Sequence, residues 1–130
     1  MKLNPWITGL DHIGLPTDDL EKTLAFYENL GFTLLHQTQN PETGEKVAFL
    51  GLQGVVIETY QCPKAAMING AVDHLALAVT DIQAVWEALE GKGIQILDDR
   101  IQQMPFWEKG VRFFTILGPN HEKIEFLQKL

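Results

Sequence analysis

Residues 9–15 have the sequence GLDHIGL, and residues 71–77 have the related sequence AVDHLAL. The match continues without a gap from 9–35 onto 71–97, where several aspartates, glycines and leucines recur and most other positions pair two apolar residues. An internal repeat of this kind determines the architecture of a chain. We therefore predict two similar modules in one pseudo-symmetric protein, each with a histidine at the same place.

The composition is typical of a soluble globular domain. The chain has 130 residues, 45% hydrophobic and 21% charged, and its formal net charge is −7. A nucleic-acid-binding protein needs a basic surface, and an acidic chain is repelled by anionic membranes. No apolar run approaches the ~18 residues of a membrane span. We therefore expect neither nucleic acid nor membrane as a partner.

The chain contains one cysteine, Cys62, so no disulfide can form within it, which is typical of a reducing compartment. Residues 1–6 lack the apolar segment of a secretory signal. We expect a cytoplasmic protein. Modules of about 60 residues are marginally stable alone, so we expect both to fold together as one domain over residues 1–130.

Hydrophobic periodicity and turn signals predict the order βαβββ in each module, and hence an α+β fold. In the first module, 8–62, Asp18 and Asp19 can cap a helix that ends near Asn29, and Gly31 suits the position after it. The predicted strands of this module are 8–16, 32–38, 46–52 and 55–61.

The second module, 71–128, follows a connector at 63–70 and repeats this order. Asp81 is the predicted helix cap, and 98–110 is predicted to be irregular. The predicted strands of this module are 72–79, 94–97, 111–117 and 123–127.

The first strand of each module carries the repeated histidine. Alternate side chains of a strand lie on one face, so His12 shares its face with Gly14, and His74 shares its face with Ala76. These small neighbours leave space beside each imidazole, as a ligand pocket needs.

The last strand of each module carries a glutamate among apolar residues, Glu58 in the first and Glu125 in the second. A lone strand histidine is usually a hydrogen-bonded structural residue, and a lone strand glutamate is usually solvated. Four such residues at matching positions of a repeat favour metal binding instead. Two imidazoles and two carboxylates suit Zn²⁺, Ni²⁺, Co²⁺, Mn²⁺ or Fe²⁺, so His12, Glu58, His74 and Glu125 are candidate ligands of a divalent metal.

Together with their surroundings, these residues resemble the vicinal oxygen chelate superfamily, and within it the small bacterial glyoxalase I proteins. The resemblance covers essentially the whole chain. The segments that carry it are DHIG at 11–14, DL at 19–20, FY at 26–27, LGF at 30–32, VIE at 56–58, DHLA at 73–76, GPN at 118–120 and KIE at 123–125.

The resemblance implies two βαβββ modules that form a cleft around one metal, with His12, Glu58, His74 and Glu125 as its ligands. The implied substrate is a hemithioacetal of an α-ketoaldehyde, such as methylglyoxal with a thiol, and the product is a 2-hydroxyacyl thioester. Glu125 is the implied base, and Zn²⁺ or Ni²⁺ the favoured metal. Family members of this length are usually homodimers, often with each site shared between two chains.

Two positions depart from the pattern of glutathione-using relatives, which leaves the identity of the thiol open. Pro16 stands four residues after the first ligand, where those relatives often carry an arginine. Gln61 is the loose counterpart of an asparagine that they carry shortly after the second ligand. Tyr60 shares a face with Glu58 on a regular strand and is a candidate hydrogen-bond donor to the site. His36 is expected on an exposed strand without a role in function.

Four further residues are candidates for substrate binding. Lys109 and Arg112 can hold a substrate carboxylate, with solvated surface charges as the alternative. Phe106 and Trp107 can form an apolar lid, with core packing of one of the two as the alternative.

Other functions of the same superfamily stay open. Fosfomycin-modifying enzymes and ring-cleaving dioxygenases resemble a set of two histidines and one glutamate, and methylmalonyl-CoA epimerases usually carry glutamine where Glu58 stands. A drug-sequestering protein like the bleomycin-resistance proteins lacks metal ligands altogether. Glu58 and the complete set of four therefore favour the glyoxalase I interpretation.

Overall fold

The computed structural model describes residues 2–8, 10 and 12–130, and the chain divides into two compact units, Met1–Ala65 and Ala66–Leu130. The division falls within the predicted connector 63–70, so each unit holds one copy of the repeat. Neither helix of the described part of the chain has the length and apolar character needed to cross a membrane.

In the described part of the first unit, four strands form a mixed sheet in the order β1-β4-β3-β2. Strand β1 is parallel to β4, and the other neighbours are antiparallel. Leu20, Tyr27, Leu50 and Ile57 are buried between the helix and the sheet. The elements are β1 (Ile13–Thr17), α1 (Leu20–Asn29), β2 (Thr33–Gln39), β3 (Lys46–Leu52) and β4 (Val55–Gln61).

Residues 66–130, all of them described, repeat this arrangement with the strand order β5-β9-β8-β6 and with β7 also paired to β8. The core contains Ile82, Phe114, Ile116, Ile124 and Phe126. The elements are β5 (His74–Ala78), α2 (Ile82–Leu89), β6 (Gln95–Ile96), β7 (Gln102–Met104), β8 (Val111–Leu117) and β9 (Lys123–Lys129).

The α+β prediction of two βαβββ modules is confirmed. Asp19 and Asp81 cap the helices as predicted, because their carboxylates accept the backbone N–H groups of Lys22 and Ala84, each at 3.1 Å. Gly31 has a φ of +107°, the left-handed conformation expected after a helix. Folding of both units as one domain stays a prediction.

The strands next to the histidines are shorter than predicted. Strand β1 begins at Ile13 rather than at residue 8, so His12 directly precedes it, and β5 begins at His74 rather than at residue 72. Residues 9 and 11 lie outside the described part of the chain. Leu10 and Val72 are 80% and 78% exposed, so the apolar pattern that predicted longer strands is not buried.

The prediction that 98–110 is irregular was wrong for β7, which pairs with β8 through Gln102–Met104. Strand β6 is short because the side chain of Asp98, rather than a backbone carbonyl, pairs with the next residue of β8. The Asp98 carboxylate accepts the backbone N–H of Thr115 at 2.7 Å. The edge of this sheet is therefore made by two short strands instead of one.

Candidate metal centre

In the first unit, Glu58 lies on the sheet face opposite helix α1. Its neighbours in β4, Ile57 and Thr59, are buried on the helix side, and strand alternation turns Glu58 to the other face. Gly14 and Phe49 lie directly across from Glu58 in β1 and β3. The sheet thus positions Glu58 between β1 and β3.

His12 reaches this face from the residue before β1. Its Nε2 lies 3.6 Å from Oε1 of Glu58, and the side chains are 36% and 28% exposed. The imidazole packs against the edge of Phe49, with 5.7 Å between the ring centroids. His36 is exposed, as predicted, and lies on the other side of Phe49, with 6.2 Å between the ring centroids. No sequence pattern predicted the contact of Phe49 with His12, because it depends on the pairing of β3 with β4.

In the second unit, Glu125 occupies the equivalent place. Ala76 and Thr115 are its partners in β5 and β8, and its side chain is only 14% exposed. The Nε2 atom of His74 lies 3.2 Å from Oε2 of Glu125. The repeat therefore builds the same pair of imidazole and carboxylate in both units.

A second carboxylate contacts the other nitrogen of His74. Oδ2 of Asp73 lies 2.9 Å from His74 Nδ1, while Oδ1 accepts hydrogen bonds from Lys123 Nζ at 3.2 Å and from Asn69 Nδ2 at 3.1 Å. The hydrogen bond to His74, followed by that to Lys123, lowers the pKa of Asp73. Sequence reasoning assigned no role to Asp73 or Lys123; the repeated Asp-His pair was the available signal for Asp73.

The donor pairs have the spacing of metal ligands. Bonds of ~2.0–2.2 Å at octahedral to tetrahedral angles put neighbouring ligand atoms ~2.8–3.6 Å apart. The distances of 3.2 Å at His74–Glu125 and 3.6 Å at His12–Glu58 fall within this range. Among the described residues, no group of three or more His, Cys, Asp or Glu side chains converges on one point. Within the first unit the predicted ligands His12 and Glu58 form one pair, and within the second unit His74 and Glu125 form another.

A cleft of about 340 Å³ lies beside the His74–Glu125 pair. This volume is within the usual ~300–1,000 Å³ of small-molecule sites. Besides the two predicted ligands, its lining includes Asp73, Asp98, Phe113 and Lys123.

Tyr60 lies on the same face as Glu58, as predicted. Its ring covers Gly14, since a Cβ at Gly14 would lie 4.0 Å from Tyr60 Cε1. Partial burial, together with the negative charges of Cys62 and Glu58, raises the pKa of Tyr60. The phenol therefore keeps its proton near neutral pH and remains a candidate donor.

Gln61, the loose counterpart of a thiol-recognising asparagine, is engaged elsewhere. Its Oε1 accepts the backbone N–H of Leu20 at 2.9 Å, so its amide lies at the start of α1. In this conformation Gln61 faces the helix rather than the face that carries Glu58.

The four substrate-binding candidates lie apart from the second unit's cleft. Phe106 and Trp107 are 56% and 73% exposed in the loop between β7 and β8, so the core-packing alternative was wrong. Trp107 instead packs against Lys129, whose Nζ lies 4.1 Å from the ring centroid. Arg112 pairs with Gln128 in the sheet, on the face opposite Glu125.

Lys109 lines a different depression, together with Met104 and Glu108. Within the described residues, then, the cation in the cleft is Lys123 and not Lys109 or Arg112. Substrate binding by Phe106, Trp107, Lys109 and Arg112 stays a prediction.

Known proteins resemble this chain over most of its length. The protein YwbC of Bacillus subtilis is 32% identical over 127 residues, covering 92% of this chain and 97% of YwbC. The lactoylglutathione lyase of Haemophilus influenzae is 36% identical over 124 residues, covering 90% of each chain. Human mitochondrial methylmalonyl-CoA epimerase is 30% identical over 108 residues, covering 75% of this chain and 61% of the epimerase.

Solved structures share the fold. A glyoxalase family protein from Enterococcus faecalis has a TM-score of 0.78 at 21% identity and covers 94% of this chain and 98% of its own. The fosfomycin resistance protein FosX of Listeria monocytogenes, complexed with Mn(II) and sulfate, has a TM-score of 0.73 at 18% identity. The match covers 95% of this chain and 94% of FosX. The family model of the Glyoxalase/Bleomycin resistance protein/Dioxygenase superfamily matches residues 9–126, and the chain belongs to this superfamily.

Proposed function

We propose that this protein is a metal-dependent lyase or isomerase of the glyoxalase I type. Its substrate is a hemithioacetal of methylglyoxal or a similar α-ketoaldehyde with a thiol, and its product is a 2-hydroxyacyl thioester. The observation that carries the proposal is the occurrence of a His–Glu pair at the same place in both units, at 3.6 Å and 3.2 Å. The 36% identity to a lactoylglutathione lyase over 90% of the chain supports it.

The residues that would hold the metal are His12, Glu58, His74 and Glu125. Imidazole nitrogens and carboxylate oxygens suit Zn²⁺ and Ni²⁺ best, with Co²⁺, Mn²⁺ and Fe²⁺ as further candidates. When bound there, a divalent metal would polarise a substrate carbonyl and stabilise the negative charge that develops as the neighbouring proton is removed.

Glu125 is the proposed base. Its side chain is 14% exposed, against 28% for Glu58, so it is the better shielded of the two carboxylates. A carboxylate held beside the substrate takes a proton from one carbon and returns it to the neighbouring carbon. Positioned acid–base groups of this kind contribute about 10²–10⁴-fold to a rate.

We further propose that the protein is a cytoplasmic homodimer that removes methylglyoxal, and that each site is shared between two chains. Each unit of the described chain offers two donors, whereas four ligands fill a tetrahedral metal site. Combining the His12–Glu58 pair of one chain with the His74–Glu125 pair of another gives the required four.

An epimerase acting on a carbon next to a thioester carbonyl is the second candidate. Identity of 30% to human methylmalonyl-CoA epimerase supports it, and proton transfer next to a carbonyl would use the same groups. Glu58 argues against it, because glutamine is usual at that place in epimerases.

The test is an assay of metal-loaded protein on both substrate classes. We expect isomerisation of a methylglyoxal hemithioacetal, measured by thioester absorbance with several thiols in parallel, and loss of this activity when the metal is chelated. Exchange of the α-proton of a 2-methylmalonyl thioester, followed by NMR in deuterated water, measures the alternative. Proton exchange on the 2-methylmalonyl thioester, together with no isomerisation of the hemithioacetal of any thiol tested, would overturn the glyoxalase proposal in favour of the epimerase.

A further inference from the structure

Asp73 is held between two sets of groups from different parts of the second unit. On one side are Asn69, from the segment before β5, and Lys123, the first residue of β9; both donate to Oδ1 at 3.1 Å and 3.2 Å. On the other side, Oδ2 lies 2.9 Å from Nδ1 of His74. Both oxygens of this carboxylate are therefore engaged.

This arrangement determines where the ring proton of a neutral His74 lies. An ionised carboxylate only accepts hydrogen bonds, and the ammonium group of Lys123 and the amide N–H of Asn69 both donate to Oδ1 of Asp73. Nδ1 of His74 must then donate, which leaves a lone pair on Nε2. Nε2 and Oε2 of Glu125 are then two acceptors 3.2 Å apart. Two acceptors at this distance are stabilised by a cation between them.

We propose that Asp73 is a positioning residue, which fixes the tautomer and ring orientation of His74 so that Nε2 is presented as a metal ligand. Asn69 and Lys123 hold the carboxylate in place. The metal-binding part of this inference rests on the proposed function. Carboxylates that accept the second ring nitrogen of a ligating histidine commonly change metal affinity by about 10–100-fold.

The isosteric variant Asp73→Asn distinguishes this role from simple packing. The ammonium group of Lys123 can only donate at the Oδ1 position, and Nδ2 of Asn69 donates there as well, so the amide oxygen of the new side chain is drawn to this position. The amide NH₂ then faces Nδ1 of His74 and forces the ring proton onto Nε2. A side chain of the same shape thereby blocks the nitrogen that binds metal, as in the catalytic triad of serine proteases, where the same replacement produces the wrong tautomer.

The first measurement uses metal-free full-length protein and long-range ¹H–¹⁵N NMR of the His74 ring, at a pH where the imidazole is neutral. We expect the Nδ1–H form in the wild type and the Nε2–H form in Asp73→Asn. Asp99→Asn is the matched control, because Asp99 is an exposed carboxylate of the same unit and its replacement changes the charge equally. The control is expected to keep the wild-type tautomer.

The second measurement is the affinity for Zn²⁺ by competition with a chromogenic chelator. We expect Asp73→Asn to lower it about 10–100-fold, and Asp99→Asn to leave it unchanged. An Nε2–H tautomer in the wild type, or an unchanged tautomer and affinity in Asp73→Asn, would overturn the proposal. Wild-type protein that binds no divalent metal would refute the proposed function, and the NMR result would then decide the tautomer role of Asp73 by itself.

Discussion

The side-chain oxygen of Gln128 accepts the backbone N–H of Ile82 at 2.9 Å. Gln61 makes the same bond to Leu20 in the first unit, also at 2.9 Å. Each bond joins the end of the last strand of a unit to the first turn of its helix, where backbone N–H groups lack partners within the helix. The strand that carries the glutamate thus also fixes the position of the helix.

Replacing either glutamine is expected to destabilise the protein without changing its fold. A hydrogen bond contributes about 0.5–1.5 kcal/mol, and leaving a buried donor unsatisfied costs about 1–3 kcal/mol. We expect Gln61→Ala and Gln128→Ala each to lower the free energy of unfolding by about 1–2 kcal/mol, measured by urea denaturation with circular dichroism. Gln37→Ala, on the exposed strand β2, is the control, and equal stability of all three variants would contradict the capping role.

Metal binding is expected to depend on both histidines. Protein purified without a chelator should contain about one divalent metal per chain, since each four-ligand set takes one ion. The double substitution of His12 and His74 by Ala removes both nitrogen ligands and is expected to abolish this metal in elemental analysis. His36→Ala removes an exposed histidine that contacts Phe49 and should retain it. Stoichiometric metal in the double variant would eliminate the proposed ligand set.

The positions of the two His–Glu pairs could be predicted because they depend on local rules. The repeat gives equivalent positions, and strand alternation turns Glu58 and Glu125 to the face opposite the helix. The helix caps follow from short-range chemistry in the same way. The equivalent positions and the direction of the glutamate side chains need no knowledge of which strands are neighbours, whereas the approach of each histidine to its glutamate depends on the pairing of β1 with β4 and of β5 with β9.

The environment of His74 could not be predicted, because it depends on strand pairing. Lys123 comes beside His74 only through the register of β5 with β9, in which their Cα atoms are partners. Asp98 lies outside the strands, as predicted, but the contact of its carboxylate with the backbone N–H of Thr115 was not predictable. Contacts between residues so far apart in the sequence leave no local pattern.

A site shared between two chains is tested by mixing inactive variants. His12→Ala and His74→Ala each damage every site of a homodimer. In a mixed dimer with shared sites, one site would carry both substitutions and the other would be intact. We therefore expect up to half of the wild-type activity per mixed dimer after subunits are exchanged by mild denaturation and refolding.

Subunit exchange itself is verified with two different affinity tags, and wild-type protein taken through the same procedure is the control. If each site were built within one chain, every site of the mixed dimer would still lack one histidine. Absence of recovered activity in purified mixed dimers would therefore refute the shared site.

The last prediction separates proton transfer from metal binding at the two glutamates. Glu125→Gln keeps the shape of the side chain and one oxygen that can bind metal, but removes the negative charge and the basicity. If Glu125 is the base, its turnover at saturating metal should fall by about 10²–10⁴-fold. Glu58→Gln, the matched change in the more exposed carboxylate, should cost less because it weakens only a ligand. The measurement is kcat on the hemithioacetal for both variants, with metal content determined in parallel. Near-normal turnover in Glu125→Gln with an inactive Glu58→Gln would assign the base to the first unit instead.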